Sequence, residues 1–419
     1  MELVLRAYVT YLVIRGVAAF AGATAFTLNL VYQAEVAGLG PLELVLVGTV
    51  LEAVCFVAQV PTGVLADLYS RRLSVIVGYL LIGAGIMVEG LVPAFAAILV
   101  ANVVWGVGAT FVDGAQEAWV VDEVGAERAP DALVRGSQVA QASSVAGIVA
   151  SVVLAGAGLN VPIVVAATAW LVLGLVLVVV MPERGFTPAP PEERGSWRSM
   201  RGQALTAVRA TRGDPALMLL LAALLCTAFA GEGLDRLTQL HFLDDVGFPS
   251  AGTPAVWFGV LSVAGMFCAI GFTELIRRSV DLADPARLAR ALAVLQAACV
   301  GAIVVFALAD RFWLAAAASV CVGLLRAAAG PLVGAWLAAR TEAATRATVY
   351  SLVSQVDAAG QLVGGPPLGL TAERLSIRAA LLGAAAIIVP AVPFLVGAAR
   401  RVPIPSRRPP VDRRDVYGP

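Results

Sequence analysis

Twelve runs of mainly apolar residues follow one another along this chain, at about 8–31, 43–66, 73–92, 95–121, 136–157, 160–181, 216–242, 255–276, 288–309, 311–337, 348–370 and 376–398. A helix needs about 20 such residues to cross the hydrocarbon of a bilayer. Backbone groups in lipid must bond within their own segment, and alternating strand patterns are absent, so each run is expected to be a helix. The fold class expected is an all-α membrane protein with twelve transmembrane spans. Composition agrees: 59% of the 419 residues are apolar and 14% charged, where a soluble protein carries about a quarter charged. A soluble enzyme is excluded. So is an ordinary nucleic-acid binder, because 29 basic and 29 acidic residues cancel.

The basic residues set the direction of the spans. All are Arg, with no Lys anywhere. With the N-terminus inside, 23 of them, from Arg6 to the six of the tail, fall on inner segments, 3 (Arg311, Arg374, Arg378) on outer loops and 3 (Arg15, Arg236, Arg326) within spans. Inner loops of membrane proteins are enriched in Arg, so both termini are expected in the cytoplasm, in a multi-pass protein of the cell (inner or plasma) membrane. The first run continues too far for a cleavable signal peptide. Cys55, Cys226, Cys268, Cys299 and Cys321 all lie in apolar stretches without metal spacing, and read as small hydrophobes.

One connection outlasts the others. Residues 182–214 begin Pro-rich and acidic, as a linker does, then place Trp197, Met200, Leu205 and Val208 on one helical face among several Arg. The second part reads as a short helix on the inner membrane surface, or as a solvated linker. The chain thus divides into a six-span unit over 1–181, the linker over 182–214, a second six-span unit over 215–399 and an Arg/Pro-rich tail over 400–419. The units resemble each other. Ala19-Phe20-Ala21-Gly22 recurs as Ala228-Phe229-Ala230-Gly231, and the same register carries Glu35 to Asp244 and Gly38 to Gly247. Such agreement argues for duplication of a six-span unit.

Between spans 2 and 3 the chain reads Gly63-Val-Leu-Ala-Asp67-Leu-Tyr-Ser-Arg71-Arg72. This resembles the G-x-L-a-D-x-x-x-R-[RK] signature of the major facilitator superfamily at that same place. Pro61-Thr62 before it and Met181-Pro182-Glu183 closing span 6 look like that superfamily's drug-exporter-like branch. The resemblance covers the whole chain and implies two pseudo-symmetric six-helix bundles. It also implies that Gly63, Asp67, Arg71 and Arg72 form a gating loop, with Asp67 latching the halves when the exterior side is open. Gly63 is expected to let two helices approach closely. Some family features are missing. Asn102 stands four residues before Gly106, where the family often has an Arg, so that arginine's part in proton coupling does not carry over. The matching loop of the second half, Gly271 to Arg278, has lost the Asp.

Charges inside spans are costly and need partners, water or neutralisation. Arg15 in span 1 matches Asp113 and Glu117 of span 4 in depth, and Arg326 in span 10 matches Asp357 in span 11. Glu232, Asp235 and Arg236 crowd the outer part of span 7, with Asp235 and Arg236 pointing apart. Glu52, near the centre of span 2, has no basic residue obviously level with it and is the first candidate for a proton carrier. These nine residues serve either proton coupling or an ion-pair network that fixes helix packing. The surplus of acids favours cationic or neutral lipophilic substrates over anions. Gln138, Gln141, Gln239 and Gln355 are the candidates to line a substrate cavity. Asp122 reads as solvated and the lone His241 as interfacial. One His cannot build a metal site, and no nucleophile–base arrangement or phosphate loop is visible, so no catalytic residues, metal or cofactor are expected, only a proton gradient.

The function expected is secondary active transport by alternating access: proton-coupled efflux, as an antiporter, of a small lipophilic or cationic compound. Proton-linked uptake of a small solute is the first alternative, and a non-transporting receptor or scaffold the second. The expected partners are a small-molecule substrate and the lipid bilayer, with the protein a monomer.

Overall fold

The computed structural model describes residues 2–125, 127–187, 213–281, 284–341 and 343–401. The surface helix expected over 197–212 and the arginines of the tail beyond Arg401 lie outside the described residues. All regular structure among the described residues is helical.

The twelve expected spans are present. In the first half they are span 1 (Leu5–Glu35), span 2 (Pro41–Leu68), span 3 (Arg71–Leu91), span 4 (Phe95–Val124), span 5 (Ala129–Ala155) and span 6 (Val161–Val180). In the second half they are span 7 (Pro215–Val246), span 8 (Pro254–Ser279), span 9 (Pro285–Leu308), span 10 (Phe312–Arg340), span 11 (Ala343–Arg374) and span 12 (Ile377–Arg400). Eleven are long and apolar enough to cross a membrane among the described residues. Span 11 is long enough at 32 residues but is diluted by Ser354, Gln355, Asp357 and Gln361. Its polarity has a use, because part of it walls a cavity.

The helices begin where side chains satisfy their free N–H groups. Ser70 Oγ accepts from Leu73 N at 2.8 Å, Asp284 Oδ1 from Ala286 N at 2.8 Å and Ser376 Oγ from Ala379 N at 3.1 Å. Pro opens spans 2, 7, 8 and 9 at the first turn, where the missing N–H costs nothing. Span 4 is broken at Gly114, whose φ of +75° ends one helical piece at Val112 and starts another at Ala115. A left-handed residue inside a span suits Gly alone.

The buried apolar residues form two bodies. One is drawn from the first half alone, around Tyr11, Ile14, Tyr79, Trp119 and Trp170. The other fills the second half and extends into the first only through Leu28, Val31, Leu39, Leu44, Val45, Val47 and Ile98. Those residues cluster at the arginine-poor end of the molecule, and the halves meet there. Leu42 and Val45 of span 2 face Gly369 of span 11, and Ile148 and Val152 of span 5 face Gly259 of span 8. Gln239 Nε2 of span 7 reaches Thr27 O of span 1 at 3.5 Å. Toward the opposite end a cavity opens between the halves.

Candidate functional site

Two chambers lie along the junction. The wider, of about 630 Å³, is walled mainly by spans 2, 7, 10 and 11 and runs from Glu52 down to Leu220, Leu337 and Tyr350. The narrower, of about 340 Å³, lies on the arginine-poor side between spans 1, 2, 4, 7 and 11. Glu52, Asp235 and Gln361 belong to both walls. Glu52 therefore faces both chambers.

The acids and arginines of span 7 divide by helical geometry. Glu232 and Arg236 are one turn apart on one face, and Arg236 Nε donates to Glu232 Oε1 at 2.7 Å. Asp235 is turned away by about 100° and binds Arg326 of span 10 through both guanidinium nitrogens, the Nη2–Oδ2 bond measuring 3.0 Å. The expected match of Arg326 with Asp357 is corrected here. Asp357 instead accepts from Gln361 Nε2, one turn on, at 2.9 Å. Equal depth set the expectation, but the rotation of span 7 about its axis puts Asp235 in the way. The divergence expected of Asp235 and Arg236 is what the helix delivers.

Glu52 has no hydrogen bond or ion pair among the described residues. The charges that act on it are Glu232, Asp357, Arg236 and Asp235. All come from the second half, whereas Glu52 belongs to the first. Close approach makes this possible. A Cβ on Gly48 would collide with the Glu232 carboxylate and the Arg236 guanidinium, and one on Gly365 would lie 2.9 Å from Thr49 Oγ1. Spans 2, 7 and 11 can touch at this level because both residues are Gly.

In the first half, Arg15 Nη1 meets Glu117 Oε1 at 3.4 Å, which links spans 1 and 4 as their depth suggested. Asp113 does not join them. It is the C-cap of the helical piece that ends at Val112, and the break at Gly114 separates it from the turn that carries Glu117.

None of the four Gln expected to line a substrate cavity lines either chamber. Gln138 accepts from Arg135 at 3.3 Å and Gln141 donates to Ser137 at 3.3 Å, both within span 5, which walls neither chamber. Gln239 is spent on the contact with Thr27. Gln355 lies about 200° around span 11 from Asp357, off the face formed by Ser354, Asp357 and Gln361. The amides that do line the wide chamber are Gln59, Gln296 and Gln361. Of these, Gln296 carries no sequence signal that would have marked it.

The loop between spans 2 and 3 is bound to its own half. Arg71 pairs with Asp122 and donates to Ala118 O at 3.2 Å, so Asp122 is an anchor rather than a solvated residue. Glu183 accepts from Ser70 Oγ at 2.6 Å and from Arg72 N at 2.9 Å. Among the described residues Asp67 meets only Arg71, at 3.4 Å, with 59% of its side chain exposed. A Cβ on Gly63 would meet nothing within 4 Å, so the close helix approach expected there is not present in this conformation.

His241 is wholly buried instead of interfacial. Its Nε2 faces Phe306 O at 3.0 Å and its Nδ1 faces Asp245 Oδ2 at 2.8 Å. A carbonyl can only accept, so Nε2 donates to Phe306 O. The residue ties span 7 to span 9 at the arginine-poor end.

Residues 12–324 match the family model described as Major Facilitator Superfamily. A curated relative from Bacillus subtilis (strain 168), the uncharacterized MFS-type transporter YxaM, is 20% identical over 361 residues, covering 85% of this chain and 87% of its own. Solved structures share the fold. A bacterial homolog to the human lysosomal transporter Spinster, inward-facing and unoccupied, superposes with a TM-score of 0.74 at 15% identity over 95% of this chain and 97% of that one. The nucleoside transporter NupG gives 0.76 at 12% over 94% and 99%. The peptide transporter POT in complex with sulfate gives 0.73 at 16% over 94% and 95%.

Proposed function

The chain belongs to the major facilitator superfamily and is a multi-pass membrane transporter, and from that premise we propose that it exports a small cationic or neutral lipophilic compound in exchange for protons. The carrying observation is the charge on the chamber walls. Four carboxyls (Glu52, Glu232, Asp235, Asp357) stand there against two arginines, Arg236 and Arg326. Such walls attract cations and repel anions, and the surplus acids give a proton a place to ride. Glu52 is the carrier in this reading, because it lines both chambers and lacks a partner that would hold it ionised.

The halves touch at the arginine-poor end and part at the other. With both termini in the cytoplasm of a cell whose plasma membrane holds this protein, that is the inward-open state. Rocking of one six-span unit against the other then exposes the chamber outward, and Asp67, freed from its half-exposed place beside Arg71, latches the closing inner ends. A single chain encloses the whole route, and the protein acts as a monomer.

A second reading, proton-linked uptake of a small polar solute, draws support from Gln59, Gln296, Gln361 and the Tyr350 hydroxyl around the wide chamber. Growth protection against a panel of lipophilic cations, with intracellular accumulation measured beside it, separates the two. Export lowers accumulation in cells with the protein, and Glu52→Gln abolishes the difference. Raised accumulation of a polar solute, with no protection, rejects export.

A further inference from the structure

One buried carboxyl has no part in the cycle above. Glu89, in the last turn of span 3, is 0% exposed, and its hydrogen-bonding neighbours are uncharged. The guanidinium that acts on it from a distance is Arg236, which is bound to Glu232. Span 1 instead offers two carboxamides one turn apart. Gln33 Nε2 donates to Glu89 Oε1 at 2.6 Å, while Glu89 Oε2 is buried with no hydrogen-bond partner among the described residues; Asn29 stands one turn before Gln33 on the same face. The Tyr32 hydroxyl donates to Glu89 O at 2.7 Å and fixes the backbone beneath it.

The oxygen atoms of these amides are left over. Among the described residues, Asn29 Oδ1 and Gln33 Oε1 are buried and accept no hydrogen bond, in residues only 6% and 1% exposed. An orphaned acceptor in a low-dielectric site is costly, and a buried carboxylate without a counter-charge more so. Both deficits are met by one positive charge. A carboxamide can present either its N–H groups or its oxygen, so Asn29 and Gln33 can donate to Glu89 when it is bare and turn their oxygens to it when a cation is held. Asn29 and Gln33 also line the narrow chamber, as Glu52 does.

We propose that Glu89, Asn29 and Gln33 form a binding site for a small monovalent cation, a proton or sodium, distinct from the central acids and joined to them by the narrow chamber. It deepens the proposal of ion-driven export, and its part in coupling rests on that proposal, but cation binding at Glu89 does not. An ion held here borders, through Asn29 and Gln33, the chamber that Glu52 lines.

The test uses the purified full-length protein without any transport substrate. Thermal unfolding is followed across pH at zero sodium, and across sodium at fixed pH with choline as the balancing ion, for the wild type and Glu89→Gln. The wild type should shift its midpoint by a few degrees along one of the two axes, which names the ion, and Glu89→Gln should not. In parallel, a hydrophobic carbodiimide should modify Glu89 of the wild type more at low pH. If sodium is the occupant, it should also suppress that labelling. Carbodiimide labelling answers the question even where Glu89→Gln fails to fold. Labelling that depends on neither pH nor sodium, or midpoints that respond equally in both proteins, overturns the proposal. Loss of compound protection in Glu52→Gln with no ion response at Glu89 defeats this inference alone, and the reverse pattern defeats only the export reading.

Discussion

Arg326 and Asp235 join spans 10 and 7 across the wide chamber through two parallel N–H···O bonds, although span 10 packs mainly on spans 8 and 9 and span 7 on spans 11 and 12. The pair is a tie across a cavity, not a core contact. With 41% and 51% of the two side chains exposed, it is worth about 1 kcal/mol or less to folding. Arg326→Ala should therefore cut transport about tenfold or more while leaving the melting temperature within a few degrees. Asp235→Ala in the same chain should restore part of the activity, and Asp357→Ala should not. A double-mutant cycle on transport rate measures this, and rescue by Asp357→Ala instead would place the partner wrongly.

Glu52→Gln removes the proton but keeps the shape of the side chain. Counterflow of substrate across proteoliposomes, which needs no net proton movement, should persist within about threefold of the wild type. Uphill transport driven by an imposed pH gradient should vanish. If both fall together, Glu52 binds substrate and does not carry the proton.

The loop between spans 2 and 3 separates two roles. Asp67 is largely exposed and, among the described residues, meets only Arg71, so Asp67→Asn should leave membrane abundance near normal and lower transport. Arg71 anchors the loop to Asp122 and Ala118 O, so Arg71→Ala should lower abundance as well. Quantitative blotting beside initial transport rates checks both. Unchanged transport in Asp67→Asn would reject the latch.

Gly48 faces Glu232 and Arg236 across the junction of spans 2 and 7. Gly48→Val overpacks that junction, at a cost of about 1–3 kcal/mol where the halves meet. The arginine-poor ends should then part more often. A cysteine placed at Thr49 should react faster with an impermeant thiol reagent from that side than in the parent protein, and an equal rate would show that the junction does not control closure.

The number of spans, the division into six and six and the loop between spans 2 and 3 were all legible in the sequence, because apolar length, Arg placement and short motifs are local. Pairing between spans was legible only in one coordinate. Depth along the membrane put Arg15 beside Glu117, but it matched Arg326 with Asp357, whereas the rotation of span 7 gives Arg326 to Asp235. The same blindness promoted Gln355 over Gln296. Glu89 escaped notice because it lies in the last turn of span 3, where a carboxyl reads as facing water. Its burial comes from Asn29, Tyr32 and Gln33 of span 1, which no spacing reveals.

Outside the membrane, Asp214 begins span 7 and makes an acid-sensitive contact. It accepts from Ala216 N at 2.9 Å and from Leu217 N at 3.2 Å, and Arg340 Nη2 donates to its Oδ2 at 2.6 Å. Burial works against its ionised form, yet the hydrogen bonds from Arg340 and the two backbone N–H groups hold its carboxyl below the usual carboxylate range. A group whose value is lowered by folding stabilises the fold above its unfolded value, near 4 for Asp, and that stability is lost as pH falls through the lowered folded value. Asp214→Asn keeps the size of the side chain and loses the charge. It keeps a capping oxygen and loses the charge paired with Arg340, so it should cost about 1 kcal/mol or less at neutral pH, and the difference from the wild type should shrink once the pH falls below about 4. Melting curves of both proteins over that range decide it. A gap that stays constant with pH would mean the ionised form of Asp214 contributes nothing beyond its shape.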